Sequence, residues 1–551
     1  MDDSFRPRGW TPKEVPTIWL DHTTGQGVTR EGTSVRPKVG TGRKNPNLTD
    51  LLDTAATYGA ERIMLTGKRP EPAPGVRHWL FVQTPNWVPG THWVAGGPPT
   101  GRFHHAITGQ KIEVRTAEEW FGEVPLTPAQ ARLAWETLGE IIAGIDERAR
   151  LMLSPAATGT NLWAWSLPRN VNPIPVSADM AAELHGTSGQ HHLEHLVAGP
   201  NFSEHDDCVA LIDPAQVKKI QTFAHTDGRF MYASLGRELG IGPGLRLNRA
   251  GAYALLEEEP YARARYFVRF KVPEDWNHVG LLGVRHQRVE DGWYYPNHPG
   301  AVGETWADSS EVFVARNAGW LVEPLEAVKF TKAKPLDTFF ERMKRARDRV
   351  QENPDMPPML RSALAGALRA ILLYTVGNFA SAGRAQTRIA ESAFDVPAEY
   401  QSTMVRQGKV FVYQIPSTVT ERTRMFYHPE FAVQIWGRGR AAVLSSSSAL
   451  GKSTAGALAV PGNTLIGING DAIYTTEVPS WALPTEHGGG DDGKTGRLRL
   501  VSALTGSFMT PDSLQSRDAL RKRADKAGPA SAWESMAAMA DSDVAPVSVS
   551  S

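Results

Sequence analysis

A short hairpin pattern near residue 470 constrains the chain more than any other stretch. The apolar run 465–468 leads into the pair Asn469-Gly470, and Asp471 is followed at once by the apolar run 472–474. Asn-Gly between two apolar runs is a strong local signal for a β-hairpin. The pattern predicts two buried strands with one carboxylate, Asp471, held beside the turn.

A carboxylate at the tip of a hairpin can bind a divalent cation, because Mg²⁺ prefers oxygen ligands and the strands fix their position. Ordinary turn chemistry is the alternative, since Asp is common in turns. The metal interpretation therefore depends on a second carboxylate elsewhere in the chain.

The size and charge of the chain exclude few functions. Its 551 residues are 41% hydrophobic, which predicts about three or four domains. Lys+Arg and Asp+Glu both number 59, and a neutral total permits a local nucleic-acid site. Cys208 is the one cysteine, which excludes an internal disulfide framework and suits a reducing compartment. The sequence shows no signal-peptide pattern and no run of about eighteen apolar residues, so we expect a cytoplasmic protein with no membrane partner.

Strand and helix patterns alternate in the first 150 residues, which predicts an α/β fold. Residues 17–20 and 62–65 have strand patterns, and 51–58 has helical spacing between them. Thr127 followed by Pro128 predicts a helix start, with apolar residues recurring at helical intervals through Ile145. The segment 154–215 is predicted to be loop-like, and α+β structure is predicted further along the chain.

Two short motifs suggest other functions. The sequence HHLEH at 191–195, with His205, Asp206 and Asp207 nearby, matches the H-x-x-E-H pattern of some zinc peptidases. The sequence LSSSSALGKST at 444–454 resembles a phosphate-binding loop, and an NTPase would use its Lys452 and Ser453. Ser446 replaces the leading glycine of that loop, so its amides could not easily turn inward on a phosphate.

Two helical patterns follow residue 336. The first is amphipathic, with a basic face that includes Lys344 and Arg345. The second runs from Pro357 and contains Arg369, and Gly377 is predicted to break it. Near the C-terminus, 486–496 is predicted to be a flexible loop and 525–551 a disordered tail.

Three separated segments together supply what a two-metal nucleotidyl transfer needs. Asp227 and Asp471 could hold one metal pair, and Arg369 could hold a triphosphate. Tyr232 could lie beside the incoming sugar or base, because an aromatic ring tolerates any base.

Four motifs carry a resemblance to a known family. DGRFMYAS at 227–234 looks like D-x-x-S-L-Y-P-A, and RAILLYTVGNFAS at 369–381 resembles K-x-x-x-N-S-L-Y-G-K-F-A-S. FAVQIWGRGR at 431–440 is similar to a helix that carries an aromatic-x-Arg step, and NGDAIYTT at 469–476 is similar to D-T-D-S-I. In this order the motifs resemble those of the family B DNA polymerases, most closely the protein-primed type of phages and linear elements.

The resemblance implies an α/β and α+β multidomain fold, in which an RNase H-like, exonuclease-type N-terminal domain precedes a right-hand polymerase domain with palm, fingers and thumb. The implied segments are an exonuclease-like domain (1–150), a connector (151–220), the first part of the palm with an insertion (221–335) and the fingers helices (336–384). They continue with an insertion and the second part of the palm (385–480), a thumb-like segment (481–524) and the tail (525–551).

The resemblance also implies roles for individual residues. Asp227 and Asp471 would be the catalytic ligands of Mg²⁺ or Mn²⁺. The nucleotide-binding positions would be Phe230, Met231, Tyr232 and Arg369. The DNA-binding positions would be Gly377, Lys344, Arg345, Trp436 and Arg438. The partners would be a DNA template-primer, deoxynucleoside triphosphates and, in the protein-primed type, a terminal protein.

The implied function is a template-directed DNA polymerase in the replication of a phage, plasmid or other mobile element. The family's proofreading site needs D-x-E on the first strand, whereas this strand reads IWLDHTTG, with Asp21 but Thr23 in place of Glu. We therefore predict a scaffold without proofreading. Asn469 also replaces one carboxylate of the resembled D-T-D motif. A DNA-binding replication protein derived from a polymerase, without catalysis, is the alternative.

Overall fold

The computed structural model describes residues 6–67, 86–89, 101–188, 194–195, 206–287, 292–381, 386–407, 410–416 and 418–529. The chain divides into two compact units, each built from two separated stretches: Met1–Arg169 with Thr338–Tyr427, and Asn170–Asp337 with His428–Ser551. These boundaries differ from the segment ends implied by the resemblance, whose finer assignment stays a prediction.

The strands of the described residues are, in chain order, β1 Thr17–Asp21, β2 Gly27–Val28, β3 Ser34–Val35, β4 Arg62–Thr66, β5 Trp87–Pro89, β6 Gly101–His105, β7 Lys111–Thr116, β8 Glu194–His195, β9 Lys219–Gly228, β10 Leu239–Leu247, β11 Ala264–Lys271, β12 Val284–Arg285, β13 Trp293–Tyr294, β14 Val302–Asp308, β15 Leu321–Ala333, β16 Gln386–Ala390, β17 Val405–Gln407, β18 Val410–Ile415, β19 Ser446–Ser448, β20 Gly451–Ala455, β21 Leu465–Asn469, β22 Ala472–Thr475 and β23 Leu498–Met509.

The α-helices of the same residues are α1 Leu48–Thr57, α2 Glu118–Phe121, α3 Pro128–Ile145, α4 Pro155–Ser166, α5 Ala178–Thr187, α6 Met231–Leu235, α7 Arg249–Glu258, α8 Ser309–Asn317, α9 Asp337–Glu352, α10 Pro358–Phe379, α11 Glu421–Arg424, α12 Pro429–Leu444 and α13 Leu514–Ala527.

A mixed sheet forms the centre of the first unit. Its strand order is β3-β2-β1-β4-β7-β6-β5, with β1, β4 and β7 parallel and the outer pairs antiparallel. The predicted alternation of strand and helix is confirmed here. Helix α3 begins at the predicted position, because the Thr127 side chain accepts from the Gln130 N–H and Gln130 bonds back to Thr127. It ends at Ile145, as predicted.

The prediction that 154–215 is loop-like is wrong, because α4 and α5 lie within it. Most residues of α4 are buried, so its sequence lacks the one-sided apolar pattern that reveals a surface helix. It packs on α10, where a Cβ at Gly159 would overlap the Thr375 hydroxyl and lie 2.8 Å from the Ile371 carbonyl oxygen. The Asn378 amide also donates to the Thr160 hydroxyl at 2.8 Å.

Helix α10 corrects two further expectations. It does not break at Gly377 but continues to Phe379. It is also long and apolar enough to cross a membrane, with a mean hydropathy of 1.4 over its most apolar window, so the expectation that the chain contains no such run is wrong. Its buried residues include Leu364, Leu368 and Ile371. A helix in the core of a folded domain has the same apolar character as a membrane-spanning helix.

Two larger sheets organise the second unit. One has five strands in the order β23-β9-β22-β21-β8, and the other has four in the order β10-β15-β11-β14. Residues from both sheets join one apolar core with α7, α8 and the C-terminal half of α12. The second face of the five-stranded sheet packs against α13 through a smaller cluster that includes Phe223, Tyr474 and Leu520.

The C-terminal part of the second unit is more ordered than predicted. The loop predicted to be flexible, 486–496, is tied to the strand β9 region, since Gly496 N–H donates to the Arg229 carbonyl and Arg229 N–H donates to the Arg497 carbonyl, both at 2.7 Å. Helix α13 includes residues 525–527, so the predicted tail begins too early. Residues 530–551 lie outside the described part of the chain.

We expect Gly159→Ala to lower the free energy of unfolding by about 1–3 kcal/mol, because the added methyl group has no room between α4 and α10. Urea denaturation measures the change. Gly139→Ala is the matched control, since that glycine lies inside α3 and its nearest neighbour is Leu151 at 3.9 Å. The control is expected to be neutral or stabilising by up to about 1 kcal/mol, and equal destabilisation of both variants would contradict the packing argument.

Candidate active site

The predicted hairpin at residue 470 is confirmed, with its turn shifted by one residue. Strands β21 and β22 are antiparallel, and Asn469 pairs with Ala472, so the two-residue loop is Gly470-Asp471. Gly470 has a φ of 64°, the left-handed value that the first position of such a turn requires. Asp471 therefore lies within the turn, and Asn469 belongs to the strand.

The register of the neighbouring strand brings Asp227 to the same place. Strand β9 is antiparallel to β22, and Asp227 lies opposite Ala472, the residue after Asp471. The Asp471 Oδ2 atom lies 3.0 Å from the position that a Cβ at Gly228 would occupy. The two acidic residues predicted from separate motifs thus lie at the same end of two paired strands.

The segment that follows Asp227 turns sharply into a short helix. Phe230 has a left-handed φ of 53° and immediately precedes α6. Met231 is buried, and its Cε atom lies 2.7 Å from the Cβ position at Gly228, so that position is filled from two sides. Tyr232 is half-buried, and its ring lies 3.6 Å from the Cβ position at Gly439 on α12. These three predicted nucleotide-binding residues therefore lie at the start of α6, a few residues after Asp227, and their role stays a prediction.

Tyr474, on the strand that follows the turn, shares a face of the sheet with Asp227. Its ring stacks on His225 at 5.2 Å between centroids, and the Arg517 guanidinium lies 5.0 Å from its centroid. Burial raises the pKa of Tyr474 to about 12, with Asp227 adding to the rise and Arg517 opposing it. The phenol therefore stays neutral at physiological pH beside the acidic pair.

The segment around Arg229 joins the site to the C-terminal loop. The Arg229 guanidinium donates to Asp491 Oδ2 at 2.6 Å, and the Asp491 side chain is buried. On α13, Asp525 accepts from the Ser502 hydroxyl at 2.8 Å and lies 2.9 Å from His225 Nδ1. Burial favours the neutral acid, but these bonds from His225 and Ser502 hold the pKa of Asp525 below its ordinary value.

The predicted DNA-binding residues of α12 serve the interior of the second unit. Trp436 is buried, with 7% of its surface exposed. Arg438 donates to the carbonyls of Leu235 and Glu238 at 2.6 and 2.5 Å, which holds the C-terminal end of α6. Burial lowers the pKa of Arg438. These contacts are structural, and a role in DNA binding stays a prediction that they do not support.

The remaining predicted residues lie in the first unit. Arg369 and Gly377 are on the exposed face of α10. On α9, Lys344 lies 2.5 Å from Asp348, and Arg345 pairs with Glu341. Acidic residues one turn away thus compensate part of the predicted basic face. The nucleotide-binding role of Arg369 and the DNA-binding roles of the other three stay predictions.

The described parts of the two alternative motifs are β-strands. Lys452 and Ser453 lie on β20, which forms a hairpin with β19, whereas a phosphate-binding loop leads into a helix. Of the HHLEH stretch, residues 191–193 lie outside the described part, as does His205. The described part, Glu194–His195, is strand β8, paired with β21 rather than helical.

The described residues contain no group of three or more His, Cys, Asp or Glu side chains that could hold a metal ion. Asp227 and Asp471 would be the residues to hold Mg²⁺, because this ion usually binds through one or two carboxylates and takes its other ligands from water and substrate phosphates.

Comparison with known proteins gives a likeness of fold. No family model matches the sequence, and no curated protein sequence matches it. Phi29 DNA polymerase complexed with primer-template DNA and incoming nucleotides is similar in structure, with a TM-score of 0.53 and 11% identity over 90% of this chain and 85% of that one. Its post-translocation complex with primer-template DNA gives 0.52 and 11%, over 89% and 85%. The chain shares the fold of this polymerase.

Sequence reasoning missed the residues that pack on the same face of the five-stranded sheet as Asp227. Tyr474 follows the turn as an ordinary strand residue, and Arg517 and Asp525 belong to a polar segment predicted to be thumb and tail. No local pattern distinguishes them, because their relation to Asp227 depends on strand pairing and on the docking of α13.

We expect Arg438→Gln to lower the free energy of unfolding of the second unit by about 2 kcal/mol or more, because two carbonyls lose a charged donor. Urea denaturation measures this change. The matched control is Arg237→Gln, whose partner Asp337 is 2.9 Å away on the surface and whose loss should cost less than about 1 kcal/mol. A loss for Arg438→Gln no larger than the control would refute the structural role.

Proposed function

We propose that this chain is a template-directed DNA polymerase that joins deoxynucleotides at the site formed by Asp227 and Asp471. The observation that carries the proposal is their position at the same end of the paired strands β9 and β22, from sequence positions that match two polymerase motifs. The shared fold supports it, because both similar Phi29 structures contain primer-template DNA and one of them also contains incoming nucleotides.

The site holds its carboxylates on rigid backbone. Strand β9 pairs with β22 on one side and β23 on the other, so Asp227 is fixed from both directions. Asp471 is fixed by a two-residue turn between paired strands. A divalent cation bound there would neutralise the charge of the transferring phosphoryl group and activate the primer hydroxyl.

One observation favours the second candidate, a DNA-binding replication protein without catalysis. Asn469 ends β21 where the resembled motif has a carboxylate, and an amide lacks the charge that helps to hold a metal. The two candidates differ in whether a chain that binds DNA also extends a primer.

We expect Asp471→Asn to reduce primer extension with Mg²⁺ or Mn²⁺ at least about 100-fold, because a lost metal ligand removes several kcal/mol of transition-state stabilisation. Asp275→Asn, on an exposed loop of the same unit, is the control and should extend normally. Unchanged extension by Asp471→Asn would refute the site, while DNA binding without extension by the natural chain would favour the second candidate.

We further propose that the chain lacks proofreading. The strand order β3-β2-β1-β4-β7 supports an RNase H-like scaffold for the first unit. At its β1 end, Asp21 Oδ1 accepts the Thr24 N–H and hydroxyl at 2.8 and 3.0 Å, and the Thr23 N–H at 3.1 Å. The carboxylate thus supports the turn into β2, and Thr23 supplies no second acid.

A primer with a mismatched 3′ end should remain intact when incubated with the protein and Mg²⁺ without nucleotides. Asp21→Asn should leave that result unchanged, with a fall in stability of about 1 kcal/mol from the weakened turn. Gel electrophoresis of labelled primer measures degradation. Shortening of the primer that Asp21→Asn abolishes would show an active exonuclease.

A further inference from the structure

A row of polar side chains crosses the five-stranded sheet next to Asp227, on the face that packs against α13. It consists of Tyr474 on β22, His225 on β9 and Ser502 on β23, which lie opposite one another. Asp227 follows His225 by two residues and therefore shares its face, about 7 Å further along β9. Any group that fixes this row also fixes the part of β9 that carries Asp227.

A single carboxylate of α13 joins two strands of this row. Asp525 Oδ1 accepts from the Ser502 hydroxyl at 2.8 Å and lies 2.9 Å from His225 Nδ1. An ionised carboxylate can only accept, so Nδ1 is the donor of the second bond. Arg521, one turn earlier on α13, donates to Asp525 Oδ2 at 3.2 Å and helps to orient the carboxylate. Asp525 therefore links β9 to β23.

The same helix also contacts the strand that follows Asp471. The rings of His225 and Tyr474 stack, with centroids 5.2 Å apart and an interplanar angle of 29°. The Arg517 guanidinium of α13 lies 5.0 Å from the Tyr474 centroid. Because β22 begins directly after Asp471, α13 contacts the strand that carries one acid of the proposed site and the strand next to the other.

The bonds of Asp525 contribute more to geometry than to stability. Its side chain is 33% exposed, and a partly exposed charged contact adds little to the free energy of folding. Leu520 and Ala524 of the same helix belong to the buried apolar cluster that contains Phe223 and Tyr474, so α13 also docks through apolar contacts. Apolar contacts are non-directional, whereas hydrogen bonds specify distance and angle. The polar bonds therefore define the position of β9 under the helix.

We propose that Asp525 and His225 are positioning residues for primer extension, which hold the end of β9 so that Asp227 stays aligned with Asp471. The inference rests on the proposed function, because it assigns these residues an effect on that reaction. Misplacement of a catalytic group by about 1 Å can slow a reaction about 100-fold. Two hydrogen bonds one row away from Asp227 are therefore enough to affect the rate.

The test is primer extension by Asp525→Ala and by Asp525→Asn in the full-length chain. Alanine removes the acceptor, and we expect kcat to fall about tenfold or more. The KM for nucleotide and the affinity for primer-template DNA should stay within about threefold, because the proposal assigns Asp525 no contact with either ligand. Asparagine keeps one acceptor oxygen, so its kcat should stay within about threefold of that of the natural chain.

A second variant tests the other end of the bond. His225→Phe keeps a ring that can stack on Tyr474 but has no N–H to donate to Asp525. We expect its kcat to fall in the same direction as that of Asp525→Ala. The double variant should be about as slow as Asp525→Ala alone, because both changes remove one shared bond.

The matched control is Asp518→Ala, since Asp518 is the other acid of α13 and its described ion-pair partners, Arg517 and Arg521, lie on the same helix. It should extend normally. Hydrogen exchange measured by mass spectrometry gives a readout that does not depend on activity. The amides of β9 should exchange faster in Asp525→Ala but not in Asp518→Ala, while thermal unfolding tests whether both variants are folded.

Normal kcat in folded Asp525→Ala would overturn the inference, whatever its exchange, and would leave the proposed function intact. An equal loss for Asp525→Asn and Asp525→Ala would overturn the assignment to hydrogen bonds. A natural chain that extends no primer would refute the proposed function. Faster exchange of β9 in Asp525→Ala would then still support the hold of Asp525 on the strand, and unchanged exchange would overturn it.

Discussion

The antiparallel pairing of β9 with β22 is the constraint on which the candidate active site depends. A slip of one residue in this register would turn every side chain of β9 to the other face and move Asp227 away from Asp471. The register is well determined, because Phe223 and Tyr474 pack on one face while Ala224 and Ile473 are buried on the other. The packing of the core therefore positions Asp227 and Asp471. The neighbouring motif residues that differ from the resembled family are not needed for that positioning.

Helix α12 supplies the second support, because it is almost wholly buried yet carries polar side chains. Three of these find partners on other elements: Gln434 bonds both the N–H and the carbonyl of Gly240 on β10, Arg438 holds the end of α6, and Arg440 makes a bidentate pair with Glu311 on α8. Burial opposes the charge of Arg440, but Glu311 outweighs it and raises the pKa of Arg440. Removing one member of such a pair would leave its partner buried without a hydrogen bond. These contacts therefore favour one packing arrangement of α12 against β10, α6 and α8.

Local chemistry revealed the parts of this structure that depend on few neighbours. The hairpin, the capped start of α3 and the alternating elements of the first unit follow from short patterns. The turn was misplaced by one residue because the choice between Asn469-Gly470 and Gly470-Asp471 depends on pairing with strands far away in sequence. Helix α4 was missed because burial on all sides removes the amphipathic signal. The partners of Arg438 lie about 200 residues earlier in the chain, so no local sequence pattern indicates its structural role.

Asn469 stands where the resembled motif has a carboxylate, and this difference affects how a metal could be held in the proposed site. Two acidic side chains, Asp227 and Asp471, leave most of the coordination sphere of Mg²⁺ to water and to substrate phosphates. Arg517 on α13 lies over the ring of Tyr474, which shares a face with Asp227. Metal affinity at such a site would depend strongly on a bound triphosphate, because its oxygens would supply the missing negative charge. Binding of nucleotide and of metal would then be one coupled event, in which the protein contributes geometry and the substrate contributes much of the charge.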